Sequence, residues 1–337
     1  MWHSLVPIWT VILALGIFIY VTLDGFDLGV GMLHGLVKPD QRELVMHSIG
    51  PFWDGNETWL ILGGVGLMAA FPVAFAIIIP AVYFPILIML LALVFRGVAF
   101  EFRFRNKHLR RFWDAAFCAG SFTATFAQGV VLGSFIQGFK VQGRVFTGTS
   151  FDFASPFALL TGIALVFGYA LLGAGWLVLK TEGDLQKWAR SAGRICLVGV
   201  CCCILAVSVW TPLASDGIAQ RWFSWPNLAF LAPLPIASVA TSVYIWREFG
   251  PGRARTSDLW PFIGSVVLFA LSFLGVAISL WPMIVPGHFT LWQAASPQST
   301  QAFLLVGTLV LLPTVLFYTA WSYWVFRGKV RHGEGLY

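Results

Sequence analysis

Six ionisable residues fall where the surrounding sequence is apolar, and their spacing brings them into pairs. Asp24 and Asp27 stand three apart, Asp54 and Glu57 repeat that spacing, and Arg96 is followed five residues later by Glu101. Residues three apart share one face of a helix. Four or five acids gathered around one arginine support two kinds of chemistry. Carboxyl groups in a low-dielectric site can take up and hand on protons along a hydrogen-bonded chain, which makes an ion or proton path. The same groups can instead form an Arg–carboxylate network that staples helix ends, with Asp24 or Asp54 capping a local break. Charge placement alone leaves both readings open. The glycines of Asp24-Gly25-Phe26-Asp27-Leu28-Gly29-Val30-Gly31 permit close helix approach in either case.

Other reactive side chains offer less. The six histidines, His3, His34, His47, His108, His288 and His332, all fall in expected loops or termini. A haem between helices needs an axial His or Met from within a bundle. His34 and His288 are candidate ligands, but solvated loop histidines are the expected reading. Met32, Met68, Met89 and Met283 read as lipid- or core-facing. Cys118 and the group Cys196, Cys201, Cys202 and Cys203 make no CxxC pair with a nearby histidine, so they read as small buried hydrophobes and no metal site is expected. There is no P-loop, dinucleotide fingerprint, nucleophile elbow or HExxH motif.

The elements that must position these residues are membrane helices. Of the 337 residues, 58% are hydrophobic and 11% charged, with 16 Trp and 31 Phe, and the mean hydropathy is +0.81. Such a composition excludes a soluble domain. Spans of about 20 apolar residues are expected near 6–31, 52–70, 75–97, 112–137, 156–179, 193–211, 227–246, 259–284 and 302–326. That is an all-α polytopic protein of nine transmembrane helices, forming a single integral membrane domain over 1–337. The span at 52–70 carries Asp54, Asn56 and Glu57 at its start and Gly63, Gly64 and Gly66 within it; without it the count is eight. The apolar stretch from Leu5 to Thr22 lacks a basic leader and a small-residue cleavage site, and is expected to be retained as a helix.

Charge fixes an orientation. The formal net charge of +6 reads as membrane topology, not as a nucleic-acid surface, because cytoplasmic loops collect Lys and Arg. Arg103, Arg105, Lys107, Arg110 and Arg111 follow the third span; Lys180, Lys187, Arg190 and Arg194 the fifth; Arg247, Arg253 and Arg255 the seventh; and Arg327, Lys329 and Arg331 the ninth. The alternate loops hold only Lys140, Arg144 and Arg221. Nine spans with the N-terminus outside and the C-terminus inside fit this pattern and gather all six ionisable residues near the cytoplasmic side. Trp2, Trp9, Trp222, Trp225, Trp281, Trp292, Trp321 and Trp324 lie near expected helix ends, as interface anchors do.

Three segments carry a family resemblance. Thr22–Gly31 (TLDGFDLGVG), Gly50–Leu60 (GPFWDGNETWL) and Phe95–Arg103 (FRGVAFEFR), with Tyr318–Trp324 (YTAWSYW) in the last span, closely resemble subunit II of cytochrome bd-type quinol oxidases. The order and spacing of the motifs extend the resemblance over essentially the whole chain, and the segment from Trp53 to Trp59 is its most specific part. The resemblance implies a fold of two four-helix bundles plus one extra helix. It also implies a bacterial inner-membrane oxidase that couples quinol oxidation to the reduction of oxygen to water. The b-type haems, the d-type haem and the quinol-oxidising loop belong, by the same resemblance, to a partner subunit I. This chain then supplies scaffold, a proton route and, in some members, a bound quinone or lipid. There is also room for a small accessory single-helix subunit. The resemblance places Asp54 on the proton route, with Asp24, Asp27 and Glu57 as companions and Arg96 and Glu101 as charge partners. Gly97, where many long-form members have proline, and the short loop near 211–227 resemble the short, cyanide-insensitive branch. An ion-coupled secondary transporter is the competing class, since intramembrane acids suit both.

Overall fold

The computed structural model describes residues 5–105, 107–214, 216–250 and 257–331. The expectations placed on Trp2, His3, Arg253, Arg255 and His332 lie outside the described residues. The first helix, α1 (Val6–His34), begins with Pro7 in its first turn, where the missing N–H costs nothing. It is followed by α2 (Arg42–His47), α3 (Trp53–Glu57), α4 (Trp59–Ala70), α5 (Pro72–Ala81) and α6 (Tyr83–Arg105). A short 3-10 turn leads into α7 (Arg110–Gln137), and a two-stranded hairpin, β1 (Val141–Gln142) with β2 (Val145–Phe146), leads to α8 (Pro156–Lys180). Ser155 caps α8 by accepting the amide of Ala158 at 3.1 Å. The second half comprises α9 (Gly183–Ala214), α10 (Asp216–Phe223), α11 (Asn227–Leu231), α12 (Pro233–Glu248) and α13 (Trp260–Leu280). A second hairpin, β3 (Met283–Val285) with β4 (Phe289–Thr290), precedes α14 (Leu291–Ala294) and α15 (Gln298–Val325).

Eight helical segments among the described residues are long and apolar enough to cross a membrane. The expected span at 52–70 is present as α3 and α4, interrupted at Thr58, so neither piece reaches a spanning length alone. The expected 75–97 span is displaced. Pro72 opens α5, the helix breaks at Val82, and the long apolar helix is α6, which continues to Arg105. The expected span at 259–284 ends at Leu280, and residues 283–290 form a hairpin instead. Lys187, Arg190 and Arg194 are not in a loop, because α9 starts at Gly183.

The centre of the fold is α1, which packs against α7 and α8, with α6 on the far side of α7 and α9 on the far side of α8. Glycine makes the α1–α8 crossing possible. A Cβ on Gly29 would lie 1.8 Å from the Tyr169 carbonyl oxygen, and one on Gly173 would lie 2.5 Å from the Gly29 carbonyl carbon. Small residues allow backbones to approach this closely in a bilayer, where van der Waals packing has to replace hydrophobic association. At the rim, α15 is different: Gln301 is its one buried residue, and Phe303 is 80% exposed. Trp9 departs from the interfacial expectation, since it is buried and its indole donates to the Gln301 carbonyl at 3.2 Å.

The positively charged ends of the helices are pinned together at 326–331. Lys329 Nζ reaches Asp258 at 2.6 Å and the Thr181 carbonyl at 2.9 Å, Arg190 holds the other Asp258 oxygen at 2.5 Å, and the Val330 amide donates to the Lys180 carbonyl at 2.8 Å. Burial pushes the Asp258 carboxyl up, but the hydrogen bonds and charges of Lys329, Gln186 and Arg190 outweigh it and hold the group below the usual carboxylate range. A carboxyl depressed in the folded state contributes stability above its unfolded pKa of about 4, and that contribution is lost as pH falls through the folded value. The tail is therefore expected to be held at neutral pH and released below about pH 4. Asp258→Asn is expected to release it at pH 7, read as several-fold faster tryptic cleavage after Lys329 and Arg331. Equal cleavage rates in the two proteins would sink this assignment.

Candidate proton-carrying site

Two turns of α1 place Asp24 and Asp27 on one face, and both side chains are completely buried. The extension of α1 to His34 puts Asp24 ten residues from its C-terminal end, about 15 Å of helix rise. The acids therefore lie deeper than a cluster at the helix end. Opposite them, α6 supplies Arg96, also fully buried. Its Nη2 stands 3.6 Å from Asp24 Oδ1, and its Nη1 donates to Glu57 Oε2 at 3.3 Å. The guanidinium carbon lies 5.2 Å from the Trp53 ring centre, a cation–π contact suited to a desolvated site. Asp27 is held separately: Asn56 Nδ2 donates to its Oδ2 at 2.7 Å, and the Tyr323 hydroxyl donates to Asn56 Oδ1 at 2.9 Å.

Burial along α3 distinguishes the acid that meets Arg96. In the short α3, Asn56 faces inward, Glu57 is half-buried and Asp54 is exposed. Glu57 is thus the partner of Arg96, and Asp54 makes no ion pair among the described residues. Of the acids expected near Arg96, Asp24 and Glu57 are the two that pair with it. Glu101, on α6 one turn beyond Gly97, is half-buried and likewise makes no ion pair among the described residues. The site therefore brings together Asp24, Asp27, Glu57 and Arg96, with Asp54 at its outer edge and Glu101 apart.

The charge count of this cluster matters chemically. Three carboxyls share one guanidinium, so the group is neutral only when it holds two protons. A dry site tolerates net charge poorly, which makes a cluster that exchanges protons with its surroundings a physically natural state. The Glu57 side chain, 29% exposed, is the opening to the outside.

Several polar groups escaped the sequence reading. Asn56 links Asp27 to Tyr323, and Gln128 bridges two buried tyrosines, donating to the Tyr20 hydroxyl at 2.7 Å and accepting from Tyr169 at 2.8 Å. Asp114 collects His34, Arg42 and Arg103. Asp114 follows Arg103 by eleven residues across the α6–α7 turn, but pairing across a turn of unknown length leaves no periodic signal. His34 is not a solvated loop residue: it ends α1 fully buried, edge-on to Phe117 with centroids 5.4 Å apart. His47 stacks on Phe104 at 5.2 Å, and His288 Nε2 bonds to the Phe139 carbonyl at 2.9 Å. Each is committed to a protein contact, and the remaining described histidine, His108, is exposed. This donor set does not suit axial haem ligation. Of the cysteines, Cys196 and Cys203 are buried, whereas Cys201 and Cys202 face outward.

Comparison with known proteins agrees with this architecture. The family model for cytochrome bd terminal oxidase subunit II matches residues 5–326. Cytochrome bd ubiquinol oxidase subunit 2 of Bacillus subtilis (strain 168) is 30% identical over 343 residues, spanning 98% of this chain and 98% of that protein. Cytochrome bd-I ubiquinol oxidase subunit 2 of Escherichia coli (strain K12) is 28% identical over 361 residues, spanning 96% and 94%. A chain in the solved structure of bd oxidase from Geobacillus thermodenitrificans superposes with a TM-score of 0.70 at 19% identity, covering 93% of this chain and 97% of that one, which shows a shared fold.

Proposed function

Because this chain belongs to the cytochrome bd terminal oxidase subunit II family, over residues 5–326, we propose that within its oxygen-reducing oxidase it carries cytoplasmic protons through the Asp54–Glu57–Arg96–Asp24–Asp27 cluster toward a haem-bearing subunit I. The observation that carries this reading is the fully buried Arg96 shared by Asp24 and the half-open Glu57. Reduction of oxygen to water consumes protons, and a haem buried in a membrane draws them through protein. The b-type and d-type haems of the partner supply the electron transfer and oxygen chemistry. In this chain, Asp54 collects a proton at the surface, Glu57 receives it one turn on, and Arg96 holds Glu57 and Asp24 within reach of each other. The Asp27 carboxyl, oriented by Asn56, completes the pair that passes the proton on.

The reading includes one integral membrane domain over 1–337, a multi-pass protein of a bacterial membrane. Its nine spans, counting α3 and α4 as one, form two four-helix bundles plus one helix. The N-terminus is outside and the C-terminus inside. Quinol is the electron donor, and the exposed apolar faces of α12 and α15 meet lipid, a bound quinone or neighbouring subunits, including any single-helix accessory. Cysteine labelling tests the orientation: a label at Arg105 reacting from the periplasm would overturn it.

Asp54→Asn is expected to lower oxygen consumption per haem by at least about tenfold, the low end of proton-transfer contributions. Haem content is expected to survive, because Asp54 holds no ion pair among the described residues. Unchanged turnover in the assembled variant would remove Asp54 from the route.

A further inference from the structure

One face of α1 is polar along its inner half, and at Tyr20, Gly31 and His34 it meets α7. Tyr20, Asp24, Asp27, Gly31 and His34 follow one another at steps of three or four residues, which is a single helical stripe. The antiparallel α7 answers with Gln128, Thr125, Ser121 and Asp114, all buried. Three contacts set the register. Gln128 meets Tyr20. Gly31 lacks a Cβ where Ser121 sits, and an added Cβ would come within 2.1 Å of Ser121 Oγ. His34 Nε2 stands 3.3 Å from Asp114 Oδ1. A continuous polar seam inside an apolar bundle is costly without a purpose.

His34 is the unexplained member. It is fully buried, and neither ring nitrogen completes a hydrogen bond among the described residues. The groups facing it are Asp114 from α7, Arg103 from α6 and Arg42 from α2, with Phe117 edge-on. Arg103 and Arg42 both donate to Asp114, so that carboxylate is committed and the imidazole is the titratable group at this end without a hydrogen bond among the described residues. The seam reaches solvent at this end, where the Arg42 and Asp114 side chains are 22% and 10% exposed.

We propose that the α1–α7 seam is a second proton-uptake route to the Asp27–Asp24 pair, beside the Glu57 opening, with His34 as its carrier and Ser121 as its relay. This rests on the reading of Asp24 and Asp27 as proton carriers. A proton from cytoplasmic water binds an imidazole nitrogen of His34. The imidazolium gives a proton to the Ser121 hydroxyl oxygen, and that hydroxyl releases its own proton to the Asp27 carboxylate. His34 and Ser121 end as they began, and Asp27 has gained one proton. His34 and Asp27 are seven residues apart, about 10 Å of helix rise. Ser121, opposite Gly31, divides that gap, and its hydroxyl, which donates to the Phe117 carbonyl at 2.8 Å, turns from that bond to pass the proton on. At the far end Gln128 closes the route, since a carboxamide holds the Tyr20 and Tyr169 hydroxyls without relaying protons between them.

Two parallel routes make the Asp54→Asn holo-oxidase the sensitive background, because its residual turnover runs through the seam. There, adding His34→Gln is expected to lower turnover per haem by a further order of magnitude, roughly tenfold, and Ser121→Ala to lower it as well. The His34→Gln deficit in the Asp54→Asn background narrows as pH rises, and added imidazole restores turnover in the corresponding His34→Gly protein, which a packing role would not allow. If residual turnover per haem is indifferent to His34→Gln and Ser121→Ala while Asp24→Asn is slow, the seam is excluded and the acid-pair reading stands. If Asp24→Asn also turns over normally, that reading fails and the seam with it. Haem-bearing complex lost from the His34 variants, with normal turnover in what remains, assigns His34 to packing and overturns the proposal.

Discussion

Arg96→Leu is expected to abolish accumulation of the assembled oxidase, measured as haem-bearing complex per unit of membrane. Arg96 is fully buried and is the only cation paired with Asp24 and Glu57 among the described residues. Leucine would fill much of its volume but leave those carboxyls facing each other without a counter-charge. Removing one partner of a buried pair costs about 3–5 kcal/mol, a large share of the roughly 5–15 kcal/mol by which a typical protein is stable. Arg96→Lys keeps the charge but loses the planar fork that reaches two acids at once, as well as the guanidinium face over Trp53. It is expected to assemble partially. Accumulation of Arg96→Leu at the level of the unaltered protein would show that the cluster does not depend on this charge.

Asp24→Asn is expected to do the opposite: complex accumulates with its haem content, and quinol-driven oxygen consumption per haem falls by at least about tenfold. Asparagine matches the carboxyl in shape. Arg96 keeps Glu57 at 3.3 Å, so the guanidinium is still paired, and the close packing at the neighbouring glycines is untouched. What disappears is the ability to accept a proton. Both openings, at Glu57 and along the α1–α7 seam, converge on Asp24 and Asp27, so no parallel path compensates. Turnover per haem equal to that of the unaltered protein would remove Asp24 from the route. A fall in haem content that accounts for the whole loss of activity would assign it to scaffolding.

The legible parts of this fold were those that hydropathy and phase determine. The apolar lengths of α1, α7, α8, α9, α13 and α15 were plain because a bilayer demands them, and the common face of Asp24 and Asp27 follows from helical geometry. Helix ends were less legible, since hydropathy marks the edge of the bilayer and not the end of the helix. Thus α6 runs on through Arg103 and Arg105, α9 begins before Lys187 and Arg190, and α1 continues to His34. That misplacement turned a buried histidine into a loop residue. The partner of Arg96 was illegible for another reason. Asp54 and Glu57 share a helical phase, and only the packing of the short α3, a tertiary outcome, decides which of them turns inward. Trp9 shows the same limit, because a tryptophan near a helix end reads as an interfacial anchor until the neighbour it hydrogen-bonds is known.

The sparse attachment of α15 has a thermodynamic consequence. Its N-terminal end is held by Gln301 on Trp9, and its C-terminal end by Tyr323, which stacks on Phe52 at 4.4 Å and donates to Asn56. Asn56 in turn donates to Asp27. Whatever binds along the bare stretch between these two anchors bears on the position of Tyr323, and through Asn56 on the affinity of Asp27 for a proton. Linkage makes such an effect reciprocal. A companion that grips α15 more tightly when Asp27 is protonated must, to the same degree, make that protonation easier, so assembly and proton loading form one coupled equilibrium.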